Sequence, residues 1–144
     1  MKTWQLKISS LDMRRMSFCA ERDYPEETVG ALLGRIEDGC YFVKEIVPLE
    51  NREEMHPERA FFVPPEKVLE LEKLALSNGC QVVGWYHSHP DTRAMPSRED
   101  LQCAFPLYVY PILSVVHGLV REIECWRLRD EGEGFEPVEI VEIE

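Results

Sequence analysis

His87 and His89 stand two residues apart at the end of an apolar run, Gly84-Trp85-Tyr86-His87-Ser88-His89-Pro90, and Asp100 follows eleven residues later. On an extended strand, residues i and i+2 point to the same side, so the two imidazoles face one way. The intervening loop is long enough to bring a carboxylate back beside them. Two imidazoles and one carboxylate form a ligand set that zinc accepts, with a fourth tetrahedral position left for water. Structural zinc sites close that sphere with protein ligands, usually thiolates. An open position therefore points to catalysis by a metal-bound water.

Each fragment also has a plainer reading when taken alone. An H-x-H pair is more often two ordinary polar residues at a strand end. Ser97-Arg98-Glu99-Asp100 reads as a helix start, with Ser97 as N-cap and an acidic residue at N3. That reading is compatible with the ligand reading, because a capped first turn would hold Asp100 rigid. Glu27 stands next to Glu26, and alone it would be a solvated charge.

The elements that must position these groups follow from pattern. Trp4 to Ile8 reads as a short strand, and Ser9 or Ser10 caps a helix from Leu11 to about Arg22, stopped by Tyr24-Pro25. Val29 to Ile36, with Gly30 and Gly34, reads as a buried strand that another backbone or a ligand approaches closely. Glu37-Asp38-Gly39 turns the chain into a partner strand, Tyr41 to Leu49. Residues 50–59 read as a polar loop and Ala60 to Val63 as a short strand. Glu66 to Ser77 reads as a helix closed by Asn78-Gly79. Cys80 to Tyr86 is the strand leading to the histidines, and Ser97 opens a helix through about Phe105. Ile112 to Val116, Arg121 to Leu128 and a last edge strand, Val138 to Ile143, complete the chain. Strands and helices interleave, with several hairpins. The fold class is α/β: one domain over residues 1–144, with a mixed β-sheet flanked by helices.

Composition bounds the function. The 144 residues are 44% hydrophobic and 30% charged, as in an ordinary globular chain. A net charge of -11 argues against a nucleic-acid partner. Six glutamates and no Lys or Arg occupy residues 131–144, which read as an acidic C-terminal strand or tail. The five cysteines form no C-x-x-C pair, which suggests a reducing cytoplasm and mostly buried free thiols. Cys80 and Cys103 are expected in the core, not as nucleophiles beside His87. A zinc deaminase would need a P-C-x-x-C pair, which the chain lacks. Met1 to Lys7 contains no apolar signal region, and the apolar stretch Leu107 to Val120 is broken by Pro111, Ser114, His117 and Gly118. The expectation is a cytoplasmic protein with no membrane contact.

Taken together, Glu27-x-x-Gly30, His87-Ser88-His89-Pro90, Ser97 and Asp100 resemble the full signature of the JAMM/MPN-domain zinc metalloproteases. The similarity covers a core of roughly residues 10–128, including Tyr24 to Gly34 and Val82 to His87. It is nearest to the small prokaryotic type that processes sulfur carriers. The resemblance implies a sheet-and-helix architecture like that of cytidine deaminases. It implies one Zn2+ per chain held by His87, His89 and Asp100. Glu27 would be the general base that later protonates the leaving amine, and Ser97 would donate to the oxyanion. These roles suit the chemistry: zinc lowers the pKa of bound water from 15.7 to about 7. A nearby carboxylate can take its proton, and an oxyanion donor is worth roughly 3 kcal/mol.

The short span between Asp100 and Val116 leaves little room for the insertions with which larger family members grip ubiquitin chains. The implied substrate is a ubiquitin-like β-grasp sulfur-carrier protein, cut after its C-terminal Gly-Gly at a peptide or isopeptide bond. Such a tail commonly binds by adding a strand to an exposed edge. Phe61, Phe62 and Val63 are the candidate edge; the alternative is that Phe61 and Phe62 simply face core and surface. Two other readings stand beside this one. The first is a zinc peptidase on other small peptides. The second is a non-catalytic MPN scaffold, which would lack the histidines or the aspartate that this chain keeps. A homo-oligomer is compatible with all three.

Overall fold

The computed structural model describes residues 3–131 and 133–144. Its elements, in chain order, are β1 (Gln5–Ser9), α1 (Ser10–Asp23), β2 (Val29–Glu37), β3 (Cys40–Leu49), α2 (Pro65–Ser77), β4 (Gln81–Pro90), α3 (Arg98–Cys103), β5 (Val109–Val116), β6 (Leu119–Leu128) and β7 (Phe135–Ile143). The strands lie in the order β1-β3-β2-β4-β5-β6-β7, and the mixed sheet curls until β7 pairs with β1. The β2–β3, β2–β4, β5–β6 and β6–β7 pairs are antiparallel; β1–β3, β4–β5 and β1–β7 are parallel. Among the described residues no helix is long and apolar enough to cross a membrane.

Local chemistry accounts for the boundaries. Ser9 caps α1 by accepting the Asp12 amide at 3.0 Å. The β2–β3 turn places Asp38 and Gly39 at φ 49° and 77°, both left-handed, as a two-residue hairpin with the right twist requires. Close approach at the β2 glycines is also as expected. A β-carbon on Gly34 would collide with the Phe42 carbonyl, and one on Gly30 with the Tyr86 ring.

Side-chain alternation along β2 and β4 builds two cores. Leu32, Val83 and Tyr86 join Leu6, Ile8 and the α1 residues Met16 and Ala20 in one. Ala31, Leu33, Val82 and Trp85 meet Leu71 and Ala75 of α2 in the other. A register shift between Leu32 and Leu33 explains why Val82 and Trp85, three residues apart, reach the same cluster. Fully burying a side chain such as Leu71 stabilises the fold by about 1.5–3 kcal/mol, which fixes α2 against the strand that carries the histidines.

Several expectations need correction. Ala60 to Val63 forms no strand and pairs in no ladder; Asn51 and Arg52, not a neighbouring strand, hold the backbone of Phe62. The last strand starts earlier than expected, at Phe135: residues 135–138 pair with β6, and residues 139–143 pair with β1 on one side. Strand β4 extends to Pro90, so both histidines sit inside a paired strand. Cysteines 19, 40 and 125 are buried, but Cys80 is half-buried and Cys103 is exposed, because α3 is a surface turn with no buried residue.

Candidate active site

Strand β4 delivers His87 and His89 to one face, the same face as Trp85, and α3 brings Asp100 over them. The Nε2 atoms of the two histidines are 3.2 Å apart. Asp100 Oδ1 lies 3.2 Å from His87 Nε2, and its Oδ2 lies 3.1 Å from His89 Nε2. Both histidines are buried and Asp100 is nearly so. Each side chain offers one ligand atom within 4.8 Å of the others.

This geometry fits a tetrahedral cation. With Zn–N bonds of 2.0–2.1 Å, two ligand nitrogens on a tetrahedron stand about 3.3 Å apart. Lone pairs of two neutral imidazoles held this close repel unless a proton or a cation lies between them. The outer contacts agree: His89 Nδ1 donates to the Arg93 carbonyl at 3.0 Å, which leaves Nε2 as the lone-pair atom. His87 Nδ1 is buried without a hydrogen-bond partner among the described residues.

The electrostatics follow from the same packing. Burial disfavours the Asp100 carboxylate, but its hydrogen bonds to His87 and His89 outweigh that, and its pKa is held below the ordinary range. Burial would depress His89, yet Asp100 and the Arg93 carbonyl more than compensate, and its pKa is raised. Glu27 is 5% exposed, and burial pushes its carboxyl up to about 8, against a smaller opposing effect of His89. Its carboxylate has no hydrogen-bond donor among the described residues, so a water could be met there. Glu26, by contrast, is exposed.

Ser97 caps α3 as expected. Its Oγ accepts the Asp100 amide at 3.0 Å while Asp100 Oδ2 accepts the Ser97 amide at 2.8 Å. The capping box thus orients the carboxylate that faces both histidines. Ser97 does not line the adjoining cavity, which holds about 680 Å³ and is lined by Glu27, His87 and Asp100 together with the apolar groups of Trp85, Tyr108 and Phe105. Phe61, Phe62 and Val63 also line it. The Phe61 ring lies 4.9 Å from the His87 ring, centroid to centroid, and Phe62 is exposed.

Sequence reasoning missed the supports of this site. Ser88, fully buried between the two histidines, points to the opposite face and accepts the Thr28 amide at 2.7 Å. The loop after β4 is pinned from β5 and β6. Ser114 Oγ donates to the Thr92 carbonyl at 2.5 Å, Glu122 accepts the Ala94 amide at 2.9 Å, and Trp126 Nε1 donates to the Ala94 carbonyl at 3.0 Å. A polar residue at a buried strand position was the available signal for Ser88. Glu122 and Trp126 carry none, since their partners are backbone groups far away in sequence.

Comparison with known proteins places the chain. The family described as prokaryotic homologs of the JAB domain matches residues 12–129. The chain is 31% identical to the CysO-cysteine peptidase of Mycobacterium tuberculosis over 125 residues, which is 85% of this chain and 82% of that protein. It is 34% identical to the desampylase of Haloferax volcanii over 96 residues, 66% of this chain and 67% of that protein. A solution structure of a protein from Desulfitobacterium hafniense superposes with a TM-score of 0.84 at 28% identity, covering 97% of this chain and 94% of that one. With a matching family domain over most of its length and peptidases among its relatives, the chain belongs to the prokaryotic JAB branch of the JAMM/MPN family and is a JAMM-type hydrolase.

Proposed function

We propose that the chain is a zinc-dependent peptidase or isopeptidase that cuts after the C-terminal Gly-Gly of ubiquitin-like sulfur-carrier proteins in the cytoplasm. The observation that carries this reading is the placement of Glu27, His87, His89 and Asp100 together, beside a cavity lined by the unpaired segment Phe61 to Val63. The names of the peptidase and the desampylase among the relatives support the substrate class.

His87 Nε2, His89 Nε2 and an Asp100 oxygen would hold one zinc, which supplies Lewis acidity that makes water nucleophilic near neutral pH. Glu27 takes the proton of the attacking water and returns it to the leaving amine. Burial keeps that carboxyl close to the neutral range where both transfers are feasible. The Ser97 hydroxyl donates to the oxyanion once its proton turns toward the substrate. The extended tail lies along residues 61–63. Phe62 has its N–H and C=O engaged by Asn51 and Arg52, while Phe61 and Val63 make no backbone hydrogen bond among the described residues. Their groups can pair with an added strand.

The test is mass spectrometry of zinc-loaded protein incubated with a ubiquitin-like carrier extended beyond its Gly-Gly, with and without chelator. Chelator-sensitive cleavage after the second glycine is expected. One bound zinc without cleavage would overturn the substrate reading, and absence of zinc binding would overturn the ligand set.

A further inference from the structure

Glu27 and the segment of residues 60–63 that lines the same cavity belong to separate parts of the chain, yet one side chain holds both. Asn51 Nδ2 donates to the Glu27 carbonyl at 3.1 Å and to the Ala60 carbonyl at 3.0 Å, with the Pro57 carbonyl at 3.5 Å. Asn51 Oδ1 accepts the Phe62 amide at 3.1 Å and the Glu53 amide at 3.0 Å. The orientation of the amide is self-consistent: the nitrogen faces only carbonyls and the oxygen faces only N–H groups. The bond to Glu53 is the local one that any Asn makes in a turn. The others reach across the loop and would not form in an isolated turn. Glu27 is tied to the same loop again, through its own amide on the Pro57 carbonyl at 2.7 Å. Asn51 makes no hydrogen bond to His87, His89 or Asp100.

We infer that Asn51 is a positioning residue that sets the Glu27 base and the substrate edge at residues 61–63 in one fixed relation. This rests on the function proposed above. Its donor half holds the base and the Ala60 carbonyl that precedes the edge, and its acceptor half holds the edge itself at the Phe62 amide. The two halves can therefore be separated by substitution. Asn51→Asp keeps an acceptor for the Phe62 amide but turns an oxygen toward the Glu27 and Ala60 carbonyls. Asn51→Ala removes both halves.

The experiment uses zinc-loaded full-length protein and, as probe, a β-grasp ubiquitin-like protein extended beyond its Gly-Gly by a short peptide. Displacing a catalytic group by about 1 Å can cost about 100-fold, so Asn51→Asp should lose kcat on that scale with KM changed less than about threefold. Asn51→Ala should lose kcat similarly and also raise KM about tenfold or more, because ground-state binding is lost as well. Zinc stoichiometry should match the unsubstituted protein in both variants. Hydrogen exchange gives a readout independent of turnover. Protection of the Phe62 amide, which Asn51 Oδ1 accepts, should fall in Asn51→Ala but persist in Asn51→Asp, while the core amide of Val83 keeps its protection in both. The inference is overturned by kcat/KM within about twofold of the unsubstituted protein in both variants, by zinc loss that accounts for the defect, or by global loss of protection that includes Val83. If the unsubstituted protein cleaves no such carrier, the functional reading fails separately. The exchange pattern then decides whether Asn51 holds the segment, and unchanged protection at Phe62 in Asn51→Ala overturns that.

Discussion

Ser88 accepts the Thr28 amide on its Oγ at 2.7 Å and donates its own amide to the Thr28 carbonyl at 3.2 Å. This reciprocal pair locks the residue between the two histidines to the residue after Glu27, so Glu27 and the histidine-bearing strand are held together. Both partners are buried. Ser88→Ala would strand the Thr28 amide and cost about 1–3 kcal/mol of stability, with the histidines still on their strand. The expected outcome is a lower denaturation midpoint, retained zinc, and a kcat loss greater than any change in KM. A variant with unchanged stability and kcat would show that the pair positions nothing.

Glu27→Gln separates the base from the metal site. The carboxamide has nearly the same shape and reaches the same space but cannot take a proton from water. Turnover should fall about 10²–10⁴-fold, with zinc content after dialysis unchanged. Near-normal cleavage by this variant would refute the base assignment.

The metal-free protein should lose stability as pH rises. Glu27 has its carboxyl raised from 4.5 to about 8, and His89 is raised from 6.5. A group raised on folding stabilises fully below its unfolded value, and that contribution fades as pH passes its folded value. For Glu27 the loss between pH 4.5 and 8 is on the order of 4 kcal/mol. Asp100 runs the other way: its lowered pKa contributes stability above 3.8 that is lost on further acidification. Thermal melts without metal should therefore show a falling midpoint from about pH 5 to pH 8.5, and Glu27→Gln should flatten that slope. With zinc present the slope should reverse, because ligand deprotonation favours binding as pH rises. A metal-free midpoint that climbs across this window would contradict the burial argument.

The grouping of His87, His89 and Asp100 was legible because its signal is local. His87 and His89 share a strand face by period, and Ser97 and Asp100 share a helix turn by capping chemistry. The mixed sheet was legible from alternation and turns, down to the left-handed pair Asp38-Gly39. What escaped was set by distant partners. The alternation of Val138 to Ile143 predicts a strand but not its partner, since residues 139–143 pair in parallel with Gln5 to Ser9 from the other end of the sequence. Ala60 to Val63 has the composition of a strand, but its neighbour is the Asn51 side chain, and no periodicity encodes that. Cys103 looked like a core residue by type, whereas the short, surface-lying α3 leaves it exposed.

Gly30 sits where the signature demands glycine, and packing supplies the reason. A β-carbon there would overlap the ring of Tyr86, which is fully buried, directly opposite on β4 and one residue before His87. The ring cannot swing away, because Met16, Ala20 and Leu113 share its core. Gly30→Ala must therefore push β2 and β4 apart, at a cost of about 1–3 kcal/mol for overpacking. That displacement falls between Glu27 and His87, so zinc affinity and kcat should drop together with the melting midpoint. Enlarging the space tests the cause: in Gly30→Ala combined with Tyr86→Leu, stability and zinc affinity should recover part of the loss. If the double variant is as defective as the two single losses added together, the Tyr86 ring is not what requires glycine at position 30.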